Sequence, residues 1–234
     1  MRLDRFLANS GIGSRSEVKK FIKTGLVSVN DIVCKNSEYN VSLDDLITYM
    51  GNQVSLEQYL YIMFHKPAGC VSATQDNLNT TVMDYLKNEN RSDLFPVGRL
   101  DKDTEGLLLI TNDGNLAHRL LSPKKHIDKT YYVKIDGIMS EREIAEFEEG
   151  LDIKDEKKTL PAKLEFITLG EVSEAIVTIW EGRFHQIKRM FQVSGKSVLY
   201  LKRISMGTLL LDETLEKGCY RYLTEAELKE LKNA

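Results

Sequence analysis

The first quarter of the chain carries two stretches in which apolar residues recur at helical spacing. The first stretch ends near Gly11, and the second begins at the capping box Ser14-x-x-Glu17 and ends at Gly25. The apolar stripes are Leu3, Phe6 and Leu7, then Val18, Phe21 and Ile22. The period then becomes that of a strand on both sides of Asn30-Asp31, a hairpin-like turn with an aspartate where glycine is favoured. This pattern predicts two helices followed by a small β-hairpin.

Residues 44–54 continue the same unit, with a further strand predicted around 46–49. The mainly polar stretches 50–53 and 55–58 are typical of a linker, which places a domain boundary near residue 58. We therefore expect two domains, residues 1–58 and residues 59–234.

The larger part of the chain mixes strand-like apolar runs with short amphipathic segments. Strands are predicted at 59–64, 107–110, 129–135, 160–169, 175–180, 198–204 and 208–211. Helices are predicted at 82–86, 116–121, 140–149 and 184–193, and after the capping box Thr224-x-x-Glu227. Because the helices are interspersed among many strands and do not alternate with them, the pattern favours an α+β fold with a mixed, mainly antiparallel sheet.

Composition indicates an ordinary globular protein, with 42% hydrophobic residues and no apolar run long enough for a transmembrane helix. The N-terminus lacks the layout of a secretory signal, so a cytoplasmic location without membrane association is expected. The three cysteines are far apart in the sequence and form no C-x-x-C pair, which favours reduced thiols and argues against a zinc site.

Charge is distributed unevenly along the chain. The net charge is -3, yet residues 1–25 carry six basic and two acidic side chains, a local charge of +4. Residues 183–203 hold six more basic residues and no acidic one. Two basic zones on an otherwise acidic protein indicate binding to a polyanion, whereas scattered solvated lysines are the simpler interpretation.

The stretch 96–114 places carboxylates and Arg99 in a polar loop directly before the predicted strand at 107–110. It matches the first half of a calcium-loop pattern at Asp101, Asp103, Glu105 and Gly106. The twelfth position of that pattern requires a glutamate, and Asn112 stands there. A solvated turn between strands is the other simple interpretation of this stretch.

Five strings follow one another along the chain: Lys66-Pro67-Ala68-Gly69, Gly98-Arg99-Leu100-Asp101-x-x-Thr104-x-Gly106, Lys129-Thr130-Tyr131-Tyr132-Val133, residues 181–190 (EGRFHQIKRM) and residues 218–224 (GCYRYLT). In this order they resemble motifs of the rRNA pseudouridine synthases of the RsuA/RluB type, most closely the small-subunit (RsuA) branch. The start of the chain is similar to an S4 RNA-binding module. The resemblance implies an S4-like domain followed by a pseudouridine synthase domain.

The resemblance also implies the reaction, which detaches uracil from its ribose and rejoins it through C5, without a cofactor or a metal. It identifies Asp101 as the catalytic carboxylate, acting either as a nucleophile on the ribose or the base, or as a base toward a ribose proton. Lys188 stands where the family carries a lysine or arginine that pairs with this aspartate. Tyr131 matches the residue that stacks on the target base, and Ile187 the apolar residue beneath the site.

Arg99 resembles the arginine that enters the gap left by the flipped nucleotide, and Asp103 falls at a position that the family does not use for catalysis. We expect a wider RNA-binding set that comprises Arg2, Arg5, Arg15, Lys19, Lys20, Arg183, His185, Gln186 and Arg189. The expected partner is ribosomal RNA or an assembling ribosomal subunit, bound by a monomer. Small-subunit (16S) rRNA is the favoured substrate; a large-subunit (23S) rRNA synthase and a non-catalytic rRNA-binding or assembly factor are the alternatives.

Overall fold

A computed structural model describes residues 1–42, 44–55, 59–89, 91–122 and 125–233. Contacts divide the chain into a first unit, Met1–Tyr59 with Asn88–Asp93, and a second unit, Leu60–Lys87 with Leu94–Ala234. The predicted boundary at residue 58 lies outside the described residues, so it stays a prediction. Within the described ranges no helix is both long and apolar enough to cross a membrane.

The first unit consists of two helices and a small antiparallel sheet. Its elements are α1 (Leu3–Asn9), α2 (Arg15–Lys23), β1 (Val27–Val29), β2 (Ile32–Val33), β3 (Ile47–Tyr49) and β4 (Asn52–Val54). The predicted capping box is present, since Ser14 and Glu17 exchange side-chain and backbone hydrogen bonds at the start of α2. Asn30 and Asp31 both have positive φ, at 51° and 64°, which is the conformation that a tight hairpin turn requires.

The prediction of a linker at 50–53 was wrong. Met50 and Gly51 form a second tight turn, with φ values of 51° and 81°, and the chain returns as β4 beside β3. The sheet order is therefore β2-β1-β3-β4, packed on a core that includes Leu3, Leu7, Val18, Ile22 and Ile47.

The second unit is built on one large sheet. Its strands are β5 (Tyr61–Lys66), β6 (Phe95–Pro96), β7 (Glu105–Thr111), β8 (Lys129–Asp136), β9 (Lys163–Thr168), β10 (Val172–Ile179), β11 (Ser197–Met206), β12 (Leu209–Leu210) and β13 (Tyr220–Tyr222). The order is β13-β5-β7-β11-β8-β10-β9, with β6 on β7 and β12 on β11. Only β7 and β11 pair in parallel among the described strands, which confirms the mixed, mainly antiparallel sheet.

Helices cover both faces of this sheet. They are a 3-10 helix (Val82–Glu89), α3 (Gly114–Leu121), α4 (Glu141–Glu149), α5 (Gln186–Val193) and α6 (Glu225–Asn233). Strand β7 separates two cores because its residues alternate in direction: Leu108 and Ile110 face one cluster, whereas Leu107 and Leu109 face the other. All seven residues of β7 are buried, so the polar loop before it is attached to a rigid central strand.

Candidate active site

The Asp101 loop, residues 97–104, runs from the end of β6 to the start of β7. Two buried apolar side chains, Val97 and Leu100, anchor it in the core. The Ser72 hydroxyl forms two hydrogen bonds with the backbone of Leu100. It donates to the Leu100 carbonyl and accepts from the Leu100 amide, both at 3.0 Å. A turn closed by a 3.1 Å hydrogen bond from the Thr104 amide to the Asp101 carbonyl leads into β7. The loop is therefore fixed on both sides of Asp101.

A buried lysine holds the same loop from inside the protein. Lys66 at the end of β5 is fully buried, and its ammonium group donates hydrogen bonds only to backbone carbonyls among the described residues. The acceptors are Pro67 (3.1 Å), Asp101 (3.0 Å), Lys102 (3.3 Å) and Thr104 (2.8 Å). Burial lowers the pKa of Lys66. The sequence analysis quoted this lysine within a motif and gave it no role.

The strand that follows the loop approaches its parallel neighbour very closely. A Cβ atom on Gly106 would lie 2.2 Å from the Arg203 carbonyl oxygen, and the φ of Gly106 is 105°. Only glycine fits both conditions. The Arg203 side chain, itself buried, donates a 2.7 Å hydrogen bond from Nε to the Leu107 carbonyl. This contact fixes β7 against β11 at the point where the Asp101 loop enters the sheet.

Helix α5 brings Lys188 to the Asp101 loop. Its buried residues Ile187, Met190 and Phe191 pack inward, which leaves Lys188 on the side that faces the loop. The Lys188 Nζ lies 3.3 Å from Asp101 Oδ2 and 2.5 Å from Asp103 Oδ1. The structure thus brings together the two residues that were predicted to pair.

Asp103 takes part in the same ion-pair group, which the sequence analysis did not foresee. Burial would raise the pKa of Asp103, but the hydrogen bond and the charge of Lys188 outweigh it and hold that pKa below its ordinary value. Its side chain is 74% exposed, compared with 25% for Asp101. Lys188 is therefore shared between a half-buried carboxylate and an exposed one.

His185 stands on the other side of Asp101. It precedes α5 in the left-handed conformation, with φ 49°, and its Nε2 lies 3.6 Å from Asp101 Oδ1. The exposed Phe184 ring stacks on the imidazole with centroids 3.9 Å apart. A non-glycine residue in this conformation is costly and often marks a functional site. The sequence analysis had placed His185 only in the wider RNA-binding set.

Tyr131 and Ile187 belong to the core cluster that also contains Leu100, the neighbour of Asp101. Tyr131 lies on β8 and is 7% exposed, and its partner in β11 is Arg203, which also pairs with Gly106 in β7. Arg99 is exposed at the surface of the Asp101 loop. Their roles as an apolar floor beneath Asp101 and a cation at its rim stay predictions.

The wider RNA-binding set stays a prediction. Arg2, Arg5, Arg15, Lys19 and Lys20 are all exposed on the first unit, although Arg2 pairs with Asp4 and Glu38. On the second unit, the Arg183 and Arg189 guanidinium groups are engaged with a neighbouring loop. Gln186 is buried and bonds to Glu181.

The carboxylates that match half of a calcium loop do not converge. Asp101 and Asp103 face Lys188, whereas Glu105 accepts hydrogen bonds from Tyr200 (2.6 Å) and Lys217 (2.7 Å). Among the described residues no group of three or more His, Cys, Asp or Glu side chains is arranged to hold a metal ion. The three carboxylates are thus paired with side chains of the protein itself.

Comparison with known proteins gave matches to both parts of the chain. A family model described as RNA pseudouridylate synthase matches residues 60–193, and an S4 domain model matches residues 1–47. An uncharacterized RNA pseudouridine synthase of Bacillus subtilis is 48% identical over 97% of both chains. The ribosomal small subunit pseudouridine synthase A of Vibrio cholerae is 42% identical over 97% of this chain and 98% of its own.

Two further relatives extend the comparison. The ribosomal large subunit pseudouridine synthase B of Bacillus subtilis is 39% identical over 99% of this chain and 95% of its own. A crystal structure of a pseudouridylate synthase superposes with a TM-score of 0.71 at 37% identity and covers 99% of both chains.

Proposed function

Because the chain belongs to the RNA pseudouridine synthase family and begins with an S4 domain, we propose that it isomerises a specific uridine of small-subunit (16S) rRNA. The observation that carries this choice is the 42% identity to the Vibrio cholerae small-subunit enzyme over nearly the full length of both chains. We further propose that it acts in the cytoplasm, as a monomer, on ribosomal RNA or on an assembling subunit.

The reaction breaks the bond between N1 and the ribose C1′ and forms a bond between C5 and the same carbon, while a proton leaves C5 and another is gained at N1. We assign the reactive carboxylate to Asp101, either as nucleophile or as base. The ion pair with Lys188 at 3.3 Å supports this assignment, because it holds one oxygen of the carboxylate beside a cation. The fixed loop supports it too, since a reacting group must be held still.

The remaining roles follow from position. Tyr131 and Ile187 would form the apolar wall on which the flipped uracil stacks. Arg99, exposed on the Asp101 loop, would fill the gap that the flipped nucleotide leaves in the RNA. Extrusion of a nucleotide costs a few kcal/mol, which these stacking and charge contacts must offset.

Large-subunit rRNA is the second candidate substrate. It is supported by the 39% identity to the Bacillus subtilis large-subunit enzyme, which is only slightly below the identity to the small-subunit enzyme. The two identities favour the small subunit by a narrow margin.

Pseudouridine mapping of both rRNAs from cells with and without the gene tests the proposal. We expect one pseudouridine of the small-subunit rRNA to disappear in the deletion strain and to return with the wild-type gene. The Asp101→Asn gene should not restore it. Loss of a large-subunit pseudouridine instead would establish the second candidate, and an unchanged set in both rRNAs would refute an rRNA target.

A further inference from the structure

Beside the candidate active site, residues 152–158 form a loop that is closed at its base. The Thr159 amide donates a 2.8 Å hydrogen bond to the Leu151 carbonyl, and the Leu151 amide donates a 2.9 Å bond to the Thr159 hydroxyl. Ile153 inserts into the main core and is 2% exposed. We call this segment the 152–158 loop. Its backbone is anchored at the base and by one buried side chain.

Two arginines of the 181–190 string clamp the loop from the side of α5. Arg183 donates from its two terminal nitrogens to the carbonyls of Lys157 (2.6 Å) and Lys158 (2.8 Å). Arg189 donates to the Ile153 carbonyl and, at 2.6 Å, to the Asp155 carboxylate, which also lies 3.6 Å from Arg183. The hydrogen bond from Arg189 is the main reason that the pKa of Asp155 is lowered.

The clamp determines which charges the loop presents to solvent. Asp155 is engaged with both arginines, whereas Lys154, Lys157 and Lys158 are exposed, as are Asp152 and Glu156. Lys154 has a φ of 63°, and its amide donates a 2.9 Å hydrogen bond to the Asp152 carboxylate. An open surface cavity of about 580 Å³ lies here, lined by Lys154, Asp155, Glu156, Lys157 and Arg183. Cations on an anchored backbone around a concave surface suit phosphate groups.

The loop is attached to the same helix that serves Asp101. Lys188 reaches the Asp101 carboxylate, and the next residue, Arg189, reaches the loop. Arg183 stands two residues before His185, which lies 3.6 Å from Asp101. RNA bound with a uridine at Asp101 would therefore have its backbone within reach of the loop.

We infer that the 152–158 loop is a phosphate-binding element for the substrate RNA, in which Lys154, Lys157 and Lys158 contact the backbone. Arg183, Arg189 and Asp155 are positioning residues that hold the loop. The inference rests on the pseudouridine synthase function, and it is independent of which rRNA is the target.

The alternative is direct contact between Arg183 or Arg189 and RNA. The two schemes predict opposite effects of Asp155→Ala on the affinity for RNA. If the arginines bind RNA directly, Asp155 competes for them, and Asp155→Ala strengthens RNA binding. If Asp155 anchors the loop, the same substitution weakens binding although it removes a negative charge. Glu156→Ala is the matched control because it removes an equal charge from the next residue. Within the described residues, the Glu156 carboxylate has no ion-pair partner.

The experiment measures binding of the full-length protein to transcripts of small-subunit and large-subunit rRNA, over a range of salt concentrations. Relative to Glu156→Ala, we expect Asp155→Ala to bind about three- to tenfold more weakly at physiological salt, as the loss of one phosphate contact would produce. Equal or tighter binding by Asp155→Ala would overturn the inference. Circular dichroism and thermal melting establish that both variants are folded.

A second variant tests the lysines themselves. Lys154→Asn, combined with Lys157→Gln and Lys158→Gln, removes three charges, and asparagine tolerates the positive φ at position 154. The slope of log affinity against log salt should fall by about two to three, at roughly 0.7 to 0.9 per contact. An unchanged slope would contradict the inference. If the wild-type protein modifies no uridine of small-subunit rRNA, only the proposed target is wrong. The inference about the 152–158 loop is still tested, because the binding measurements do not require that target.

Discussion

Lys188 lies between two carboxylates, and its removal should change the pH dependence of the enzyme by a predictable amount. Its Nζ is 3.3 Å from an Asp101 oxygen and 2.5 Å from an Asp103 oxygen, so those two oxygens can be no more than 5.8 Å apart. In the Lys188→Met variant the two aspartates face each other with no cation between them. Ionisation of one then opposes ionisation of the other.

Coulomb's law gives the size of this repulsion. Two unit charges at 5.8 Å repel by about 0.7 kcal/mol in water and by about 3 kcal/mol at an effective dielectric constant of 20. Since Asp103 is 74% exposed, solvent screening favours the lower part of this range. With about 1.4 kcal/mol per pH unit, the acid limb of the activity profile of Lys188→Met should lie about 0.5 to 1 unit above that of the double variant that also lacks the Asp103 charge.

The assay is kcat/KM for pseudouridine formation as a function of pH, because its acid limb reports an essential carboxylate in the free enzyme. Four proteins are compared: wild type, Lys188→Met, Asp103→Asn and the double variant. Loss of the Asp103 charge removes the repulsion, whereas the attraction between Lys188 and Asp101 is absent from both variants. The acid limb of the double variant should therefore lie below that of Lys188→Met by this amount, although its overall rate stays low. If the double variant keeps the shifted limb of Lys188→Met, the shared ion pair does not control ionisation and the reasoning fails.

Three further predictions concern the reactive group, its support and the first unit. Asp101→Asn should abolish isomerisation and leave RNA affinity within a few fold, whereas Asp103→Asn should stay active; equal loss in both would contradict the assignment. Lys66→Met should lower the free energy of unfolding by about 2 to 3 kcal/mol, because four backbone carbonyls lose the hydrogen bonds of a buried donor, and the exposed Lys102→Met is the control in thermal melts. Deletion of residues 1–58 should reduce the salt dependence of rRNA binding by roughly three units of slope, and an unchanged slope would show that these residues do not hold RNA.

Much of the fold could be predicted from local patterns. The Ser14 capping box and the Asn30-Asp31 turn depend on neighbouring residues only, and both are present. The turn at Met50-Gly51 was missed because only its glycine is typical of such turns, while the polar strand after it resembles a linker. The parallel pairing of β7 with β11 joins residues about 100 positions apart, as in Gly106 beside Arg203, and no local pattern contains that information.

The candidate site was predictable to the extent that it follows motif positions. The pairing of Lys188 with Asp101 was expected from the resemblance, and the geometry agrees with it. The ion pair between Lys188 and Asp103 was not expected, because it depends on the conformation of the Asp101 loop. The engagement of Arg189 with Asp155 depends on a loop more than 30 residues away, so the basic character of α5 alone suggested solvent-facing cations.

The buried ammonium group of Lys66 gives the Asp101 loop a property that its sequence conceals. The loop begins like a calcium-binding loop, and three of its carbonyls do point at a cation, but that cation is part of the polypeptide chain. A covalently attached ion cannot dissociate, be exchanged for a competing metal or be removed by a chelator. We therefore expect the loop to acquire its shape when the chain folds, whether or not divalent ions are available in the cell.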